Sequence, residues 1–172
     1  MTRIAVAVII AAWQALGAAA VDPVVPNIRQ FESLNAGFWV KESVQGAARR
    51  LRDPECVRVF SDFADRGGHR LSDKLGDLGV SPEEYLLKSL WFFDGTRQSP
   101  CDPQLHRAAI TQVGSHVVFI CPARFLGAPQ EREITIIHEM LHSLGLGENP
   151  PSSREITDRV TARCGKAQRA TL

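Results

Sequence analysis

Residues 134–146, ITIIHEMLHSLGL, constrain the fold of this chain more than any other segment. The segment is apolar on almost every side of a helix, so it predicts a buried helix and not an amphipathic surface helix. It also contains two histidines and a glutamate, whose burial costs free energy unless a partner satisfies them. We predict the helix over residues 131–144, with Gly145 as its end.

The polar residues of this helix have the spacing of a metal site. His138 and His142 are four residues apart, so they lie on one face of the helix and can bind a single ion. Glu139 is adjacent to that face, where its carboxylate can hold a water beside the ion. The spacing therefore predicts His138 and His142 as metal ligands, with zinc as the metal, and Glu139 as the neighbouring base.

The HExxH pattern of His138, Glu139 and His142 resembles the signature of the zincin metallopeptidases. The resemblance implies a Zn²⁺ cofactor and a zinc-activated water that attacks a peptide carbonyl. It also implies that Glu139 is the catalytic residue, acting as general base.

The longer metzincin pattern, HExxHxxGxxH, is matched through Gly145 and has Glu148 in place of its last histidine. The only methionines are Met1 and Met140, so a methionine turn downstream of the helix is absent from the sequence. The run from about Cys56 to Cys164, with its GLGENPPSS segment, is similar to small exported bacterial proteins regarded as metallopeptidases.

The third metal ligand is predicted to be Glu148. Gly145 and Gly147 permit a sharp reversal of the chain, which would bring the Glu148 carboxylate back to the two histidines. Glu155 and Asp158 are the alternatives. Glu155 also has a structural role available as the capping-box partner of a serine three residues earlier, and Asp158 could instead accept a hydrogen bond from a ligand histidine.

The first twenty residues, MTRIAVAVIIAAWQALGAAA, have the pattern of a secretory signal peptide. Arg3 is the positive start, an apolar run follows, and Ala18–Ala20 are the small residues of a cleavage site. Residues 21–172 are therefore expected to form one secreted or periplasmic domain. Its net charge would be zero, which argues against binding to nucleic acid or to a membrane after cleavage of the signal.

The chain contains four cysteines and no CxxC pair, so an exported protein of this sequence is expected to form two disulfides. We expect a Cys101–Cys121 bond, which would enclose the segments AAITQ and HVVFIC. We also expect a Cys56–Cys164 bond between an early strand and the last helix.

The segment patterns predict an α+β fold, in which helices pack on a small, mostly antiparallel sheet. The resemblance adds a zincin-like arrangement around the buried metal helix. CVRVF (56–60) alternates as a strand, and residues 108–121 read as a hairpin. A helix is predicted between Phe38 and Arg52, and capping boxes at SPEE (81–84) and at Ser152 and Glu155 start two further helices.

The remaining histidines, His69, His106 and His116, are scattered, and only His116 precedes the metal helix on a strand that could border a cleft. Tyr85 and Arg154 are possible oxyanion stabilisers, without support from their spacing.

These features together predict an exported zinc-dependent hydrolase, in particular a metallopeptidase with a polypeptide substrate. The alternatives are a zinc-dependent hydrolase of non-peptide amides and a non-catalytic binding module stabilised by zinc. The sequence does not indicate the oligomeric state.

Overall fold

The computed structural model describes residues 25–166 of the chain. The predicted signal peptide lies outside these residues, as does its cleavage site. The described helices are α1 (Leu34–Arg50), α2 (Pro54–Val57), α3 (Val59–Asp62), α4 (Leu71–Leu78), α5 (Pro82–Glu84), α6 (Pro129–Ser143) and α7 (Ser153–Cys164). The described strands are β1 (Asn27–Ile28), β2 (Trp91–Asp94), β3 (Ala109–Thr111) and β4 (Val117–Ile120).

The four strands form one mixed sheet in the order β1-β2-β4-β3. Strand β2 pairs in parallel with both β1 and β4, and only β3 and β4 are antiparallel. The prediction of a mostly antiparallel sheet is therefore not confirmed. Strands β3 and β4 follow each other through a short turn, which requires antiparallel pairing, whereas β2 reaches β4 through a long connection that returns to the same end of the sheet.

The predicted strand at residues 56–60 is wrong, because this segment forms α2 and α3. The Asp53 carboxylate accepts the N–H of Glu55 at 2.9 Å, and Pro54 occupies the first turn of α2. Cys56, Val59 and Phe60 are all buried, and their spacing of three and four residues places them on one helical face. The apparent alternation of CVRVF concealed this helical spacing.

Other local predictions are confirmed. The early helix is α1, and the helix predicted to start at SPEE is α5, which continues as a π-helical turn (Tyr85–Ser89) before β2. Strands β3 and β4 form the predicted hairpin. Reciprocal capping boxes start α5 and α7, each formed by a serine and a glutamate three residues later.

Both predicted disulfides, Cys56–Cys164 and Cys101–Cys121, are present. The first joins α2 to the end of α7, and the second joins a 3₁₀ turn (Ser99–Cys101) to the residue after β4. Two disulfides are typical of a protein in an oxidising environment. Among residues 25–166, no helix combines the length and the apolar character that crossing a membrane requires.

Helix α6 lies at the centre of the described fold. It packs against α1, α7 and β3, and its residues from Ile136 to Ser143 are all buried. The predicted burial of this helix is confirmed. Since β3 lies at an edge of the sheet, the face of α6 next to β3 is placed beside an open strand.

Candidate metal centre

Helix α6 brings two imidazoles together at its buried face. His138 and His142 are only 7% and 5% exposed, and their Nε2 atoms lie 3.0 Å apart. Tetrahedral zinc binds imidazole nitrogens at about 2.0–2.1 Å, which separates two such ligands by about 3.3 Å. The pair is therefore spaced to share one ion.

The other ring nitrogens have separate partners that orient the two imidazoles. His142 Nδ1 lies 2.8 Å from the carbonyl oxygen of Leu146, which can only accept, so Nδ1 carries the proton and Nε2 presents its lone pair. His138 Nδ1 lies 2.9 Å from the hydroxyl of Thr157 on α7. Burial lowers the pKa of His138 to about 3, and the nearby His142 adds to this shift. A neutral imidazole is the form that binds a metal.

The turn after α6 returns the chain to these imidazoles. Gly145 has a φ of 109°, which disfavours any side chain, and the N–H of Leu146 donates to the carbonyl of Leu141 at 3.1 Å. Glu148 follows, and its Oε1 lies 3.3 Å from His142 Nε2 and 3.9 Å from His138 Nε2. One carboxylate and two imidazoles thus present three donor atoms within 4.8 Å of one another.

The two alternative third ligands lie elsewhere. The carboxylate of Glu155 accepts both the N–H and the hydroxyl of Ser152 at 2.7 Å, which completes the cap of α7. Asp158 is largely exposed and pairs with Arg154 one turn earlier on the same helix. Of the three carboxylates considered, the structure places only that of Glu148 with the histidines.

Glu139 is buried next to the histidines but is separate from the three converging donors. It is 6% exposed, and its Oε2 has no hydrogen-bond partner among residues 25–166. The pKa of Glu139 is raised to about 7, mainly by burial and also by the charge of Glu148, against the opposing effects of Thr111 and Arg107. A carboxyl with a pKa near neutrality can both take up and release a proton.

These donors open onto a cleft of about 460 Å³. His138, Glu139, His142 and Glu148 all line it, and the residues from Ala109 to Val113 form a wall beside them. The donors are therefore accessible from solvent, as a site that admits a substrate requires.

The wall of the cleft includes the open edge of β3. The N–H of Cys121 donates to the carbonyl of Ala108 at 2.9 Å, which sets the alternation of hydrogen bonds between β3 and β4. By this alternation, the backbone N–H and C=O groups of Ala109 and Thr111 point away from β4. Both residues line the cleft, so an extended chain lying there could pair with them.

The other candidate residues do not line this cleft. His116 contacts the ring of Tyr85, with ring centroids 5.7 Å apart, and its Nδ1 lies 3.3 Å from the carbonyl of Ser89. Tyr85 is buried, and its hydroxyl accepts a hydrogen bond from Ser143. His69 is exposed on the loop before α4, near Asp65.

The residues present fit a metal ion. The Nε2 atoms of two buried imidazoles converge, and a carboxylate completes a nitrogen–nitrogen–oxygen set of the kind that zinc binds. Without a cation or a shared proton, the electron-rich atoms of these three side chains would repel one another at about hydrogen-bond distance. The chemistry of the donor set therefore supports a metal at this position, with His138, His142 and Glu148 holding it.

Sequence reasoning missed several residues around this group. Thr157 orients His138, the Leu146 carbonyl orients His142, and Thr111 lies beside Glu139. Arg66 and Arg107 line the cleft. Apart from Leu146, none of these residues is near the histidines in sequence. Leu146 acts through its backbone carbonyl, which every residue has, so its side chain does not reveal this role.

Comparison with protein-family models, with curated proteins and with solved structures finds no match.

Proposed function

We propose that the protein is an exported zinc-dependent metallopeptidase. The observation that carries the proposal is the convergence of His138, His142 and Glu148 in an open cleft, beside the buried carboxylate of Glu139. A structural zinc site is normally closed by four protein ligands, whereas three ligands with an open fourth position are typical of catalytic sites. Export is supported by the pattern of residues 1–20 and by the two disulfides.

Zinc held by these three residues would supply Lewis acidity, which polarises a carbonyl and lowers the pKa of water to about 7. The protein's own part is to place a base beside that ion. Glu139 takes a proton from the attacking water and returns it to the leaving amine nitrogen. Burial of Glu139 raises the pKa of its carboxyl above the ordinary value, which makes the carboxylate a stronger base for this transfer.

A peptide substrate is favoured over a small amide by the shape of the cleft. The cleft runs along β3, where the outward backbone groups of Ala109 and Thr111 can pair with an extended chain. Such pairing would hold a scissile peptide bond beside Glu139. A small amide would make no use of this edge.

The proposal is tested by zinc content together with hydrolysis of a generic protein substrate such as casein. We expect about one zinc per chain, cleavage of casein, loss of cleavage with a chelator, and recovery on adding zinc back. Zinc binding without hydrolysis of peptides or amides would favour a zinc-stabilised binding module. Hydrolysis of small amides but of no polypeptide would favour the non-peptide amide hydrolase.

Thr157→Val should weaken zinc binding about tenfold, because the partners that orient a ligand histidine typically contribute at least that much to metal affinity. Valine has a similar shape but cannot hydrogen-bond His138 Nδ1, which lies 2.9 Å from the hydroxyl it replaces. The measurement is competition with a chromophoric chelator. Thr161→Val, one turn further along α7 and exposed, is the matched control and should leave zinc affinity unchanged. Equal affinities in the two variants would show that Thr157 does not support the metal.

A further inference from the structure

The cleft contains two cations that the proposed mechanism does not use. Its charged side chains, other than the histidines, are Glu139, Glu148, Arg66 and Arg107. The two glutamates are occupied, one as the base and one as the third metal ligand. A dication in the site would offset their charges, so the two arginines would give the loaded cleft its net positive charge.

Neither arginine forms an ion pair with a carboxylate among residues 25–166, although Arg107 is close enough to Glu139 for their charges to interact. Of the seven unpaired arginines among these residues, only Arg66 and Arg107 line the cleft. The other seven arginines each form an ion pair: Arg50, Arg52, Arg58, Arg97, Arg154, Arg159 and Arg163. Arg66 and Arg107 are both exposed, so their guanidinium groups are free to bind an anion that enters the cleft.

Arg66 lies on a loop that is held in shape by hydrogen bonds to the Asp65 carboxylate. The carboxylate of Asp65 accepts the N–H groups of Gly67 and His69 at 2.8 and 3.0 Å, and Lys74 donates to it at 2.8 Å. These bonds fix the backbone on both sides of Arg66. The position of the arginine is thus set by the fold and not only by its own flexible side chain.

The turn after the metal helix is shaped to receive this loop. A β-carbon at position 147 would lie 3.0 Å from Arg66 Nε and 3.4 Å from its Cγ, so the arginine crosses the chain where Gly147 has no side chain. A β-carbon at position 145 would lie 2.9 Å from Lys74 Nζ and 3.2 Å from Cβ of Asp65. The two glycines that allow the chain to return Glu148 to the histidines therefore also admit the loop that carries Arg66.

Arg107 lies toward the other end of the cleft. It precedes β3, and it borders a smaller adjoining cavity together with Thr135, His138 and Thr157. Arg66, by contrast, lies over Gly147, beyond the carboxyl end of α6. The two cations thus flank the metal group from opposite sides, where each can reach a different position of an extended chain lying along β3.

We propose that Arg66 and Arg107 select substrates that carry a carboxylate group. This inference rests on the proposed peptidase function and adds the substrate class. A guanidinium group presents paired N–H donors that match the two oxygens of a carboxylate, which makes it a better recognition group for this anion than a lysine. The carboxylate can belong to an aspartate or glutamate side chain or to a free carboxyl terminus, and both present the same chemistry to the arginines.

The test measures binding instead of turnover, with the Glu139→Gln protein loaded with zinc. The probe is the peptide mixture from a tryptic digest of a bacterial lysate, passed over the immobilised protein and identified by mass spectrometry. A second portion of the mixture is methyl-esterified, which converts every carboxylate to a neutral ester. We expect retention of the untreated peptides to exceed that of the esterified peptides about tenfold.

The source of the carboxylate is then resolved with one strongly retained peptide in three synthetic forms. The first has its acidic side chain and an amidated terminus, the second has glutamine and a free terminus, and the third has glutamine and an amidated terminus. Recognition of a side chain predicts that only the first form keeps its affinity, and recognition of the terminus predicts the same for the second. The third form should bind about tenfold more weakly than the preferred one.

Variants assign the effect to the two arginines. Introduced into the Glu139→Gln protein, Arg66→Gln or Arg107→Gln should reduce the preference for the carboxylate form severalfold, and the double variant should abolish it. Arg49→Gln, which removes an exposed arginine of α1, is the matched control and should change nothing.

Equal binding of all three peptide forms, or an unchanged preference in the double variant, would overturn the inference and leave the proposed peptidase intact. Failure of the protein to retain any peptide, together with failure of the wild type to cleave casein, would overturn both. The two results are distinct because the comparison between peptide forms is made only among peptides that bind.

Discussion

Replacing Glu139 with glutamine is expected to lower casein hydrolysis by at least about a hundredfold, the usual minimum for the loss of general acid–base catalysis. Zinc content and thermal stability should change little. The reason is that Glu139 lies beside the three metal-binding donors without being one of them. Its side chain is only 6% exposed, and glutamine fills nearly the same volume there, so the packing of α6 is preserved while the proton acceptor is lost.

The measurement is the hydrolysis rate of purified, zinc-loaded protein, with metal content checked on the same sample. Glu42→Gln is the control, because it makes the same chemical change at an exposed position of α1 and should keep the full rate. A Glu139→Gln protein that held zinc and retained the wild-type rate would exclude Glu139 as the base. A variant that lost zinc would instead place Glu139 among the ligands.

The sequence could predict those parts of the site whose geometry is set within a few consecutive residues. His138 and His142 converge because four residues make about one helical turn, which depends on nothing outside α6. Glu148 returns because a glycine ends the helix and a second glycine follows it, and this information is also contained within a few residues. The same reasoning explains why the capping boxes of α5 and α7 were predictable.

The errors concern pairings between distant segments. Residues 56–60 alternate like a strand, but their apolar side chains are buried on one face of α2 and α3 against other helices. Parallel pairing of β2 with β4 depends on where a long connection places the chain, and no pattern within either strand indicates it. Tertiary packing determined both outcomes. The alternation of apolar residues over five positions is too short to predict them.

The surroundings of His138, His142 and Glu148 were unpredictable for the same reason. Thr157 orients His138 from a different helix. Arg66 reaches the cleft on a loop that lies about eighty residues before Gly147 in the chain. Neither residue stands in a pattern that distinguishes it from the exposed threonines and arginines elsewhere. Only the arrangement of α7 and of the Asp65 loop around the turn at Gly145 and Gly147 assigns them a role.

Replacing Glu148 with alanine is expected to weaken zinc binding by more than about a hundredfold, since the loss of a ligand should exceed the tenfold to hundredfold effect of losing a supporting partner. Glu148 Oε1 lies 3.3 Å from His142 Nε2 and 3.9 Å from His138 Nε2, where it would share a bound ion with both. Alanine removes one of three donors and also the only negative charge among them. Glu148→His should restore part of the affinity, because imidazole is also a zinc ligand but carries no charge.

Glu155→Ala is the control that separates ligation from helix capping. Its carboxylate accepts two hydrogen bonds from Ser152, so alanine should reduce the free energy of unfolding and leave zinc affinity unchanged. Both affinities are measured by competition with a chelator. If Glu155→Ala lost zinc and Glu148→Ala kept it, the third ligand would lie on α7, and the turn at Gly145 and Gly147 would serve mainly to admit the loop that carries Arg66. If Glu148→Ala alone lost zinc, that turn would serve both purposes, since one reversal of the chain would place the third ligand and leave room for Arg66.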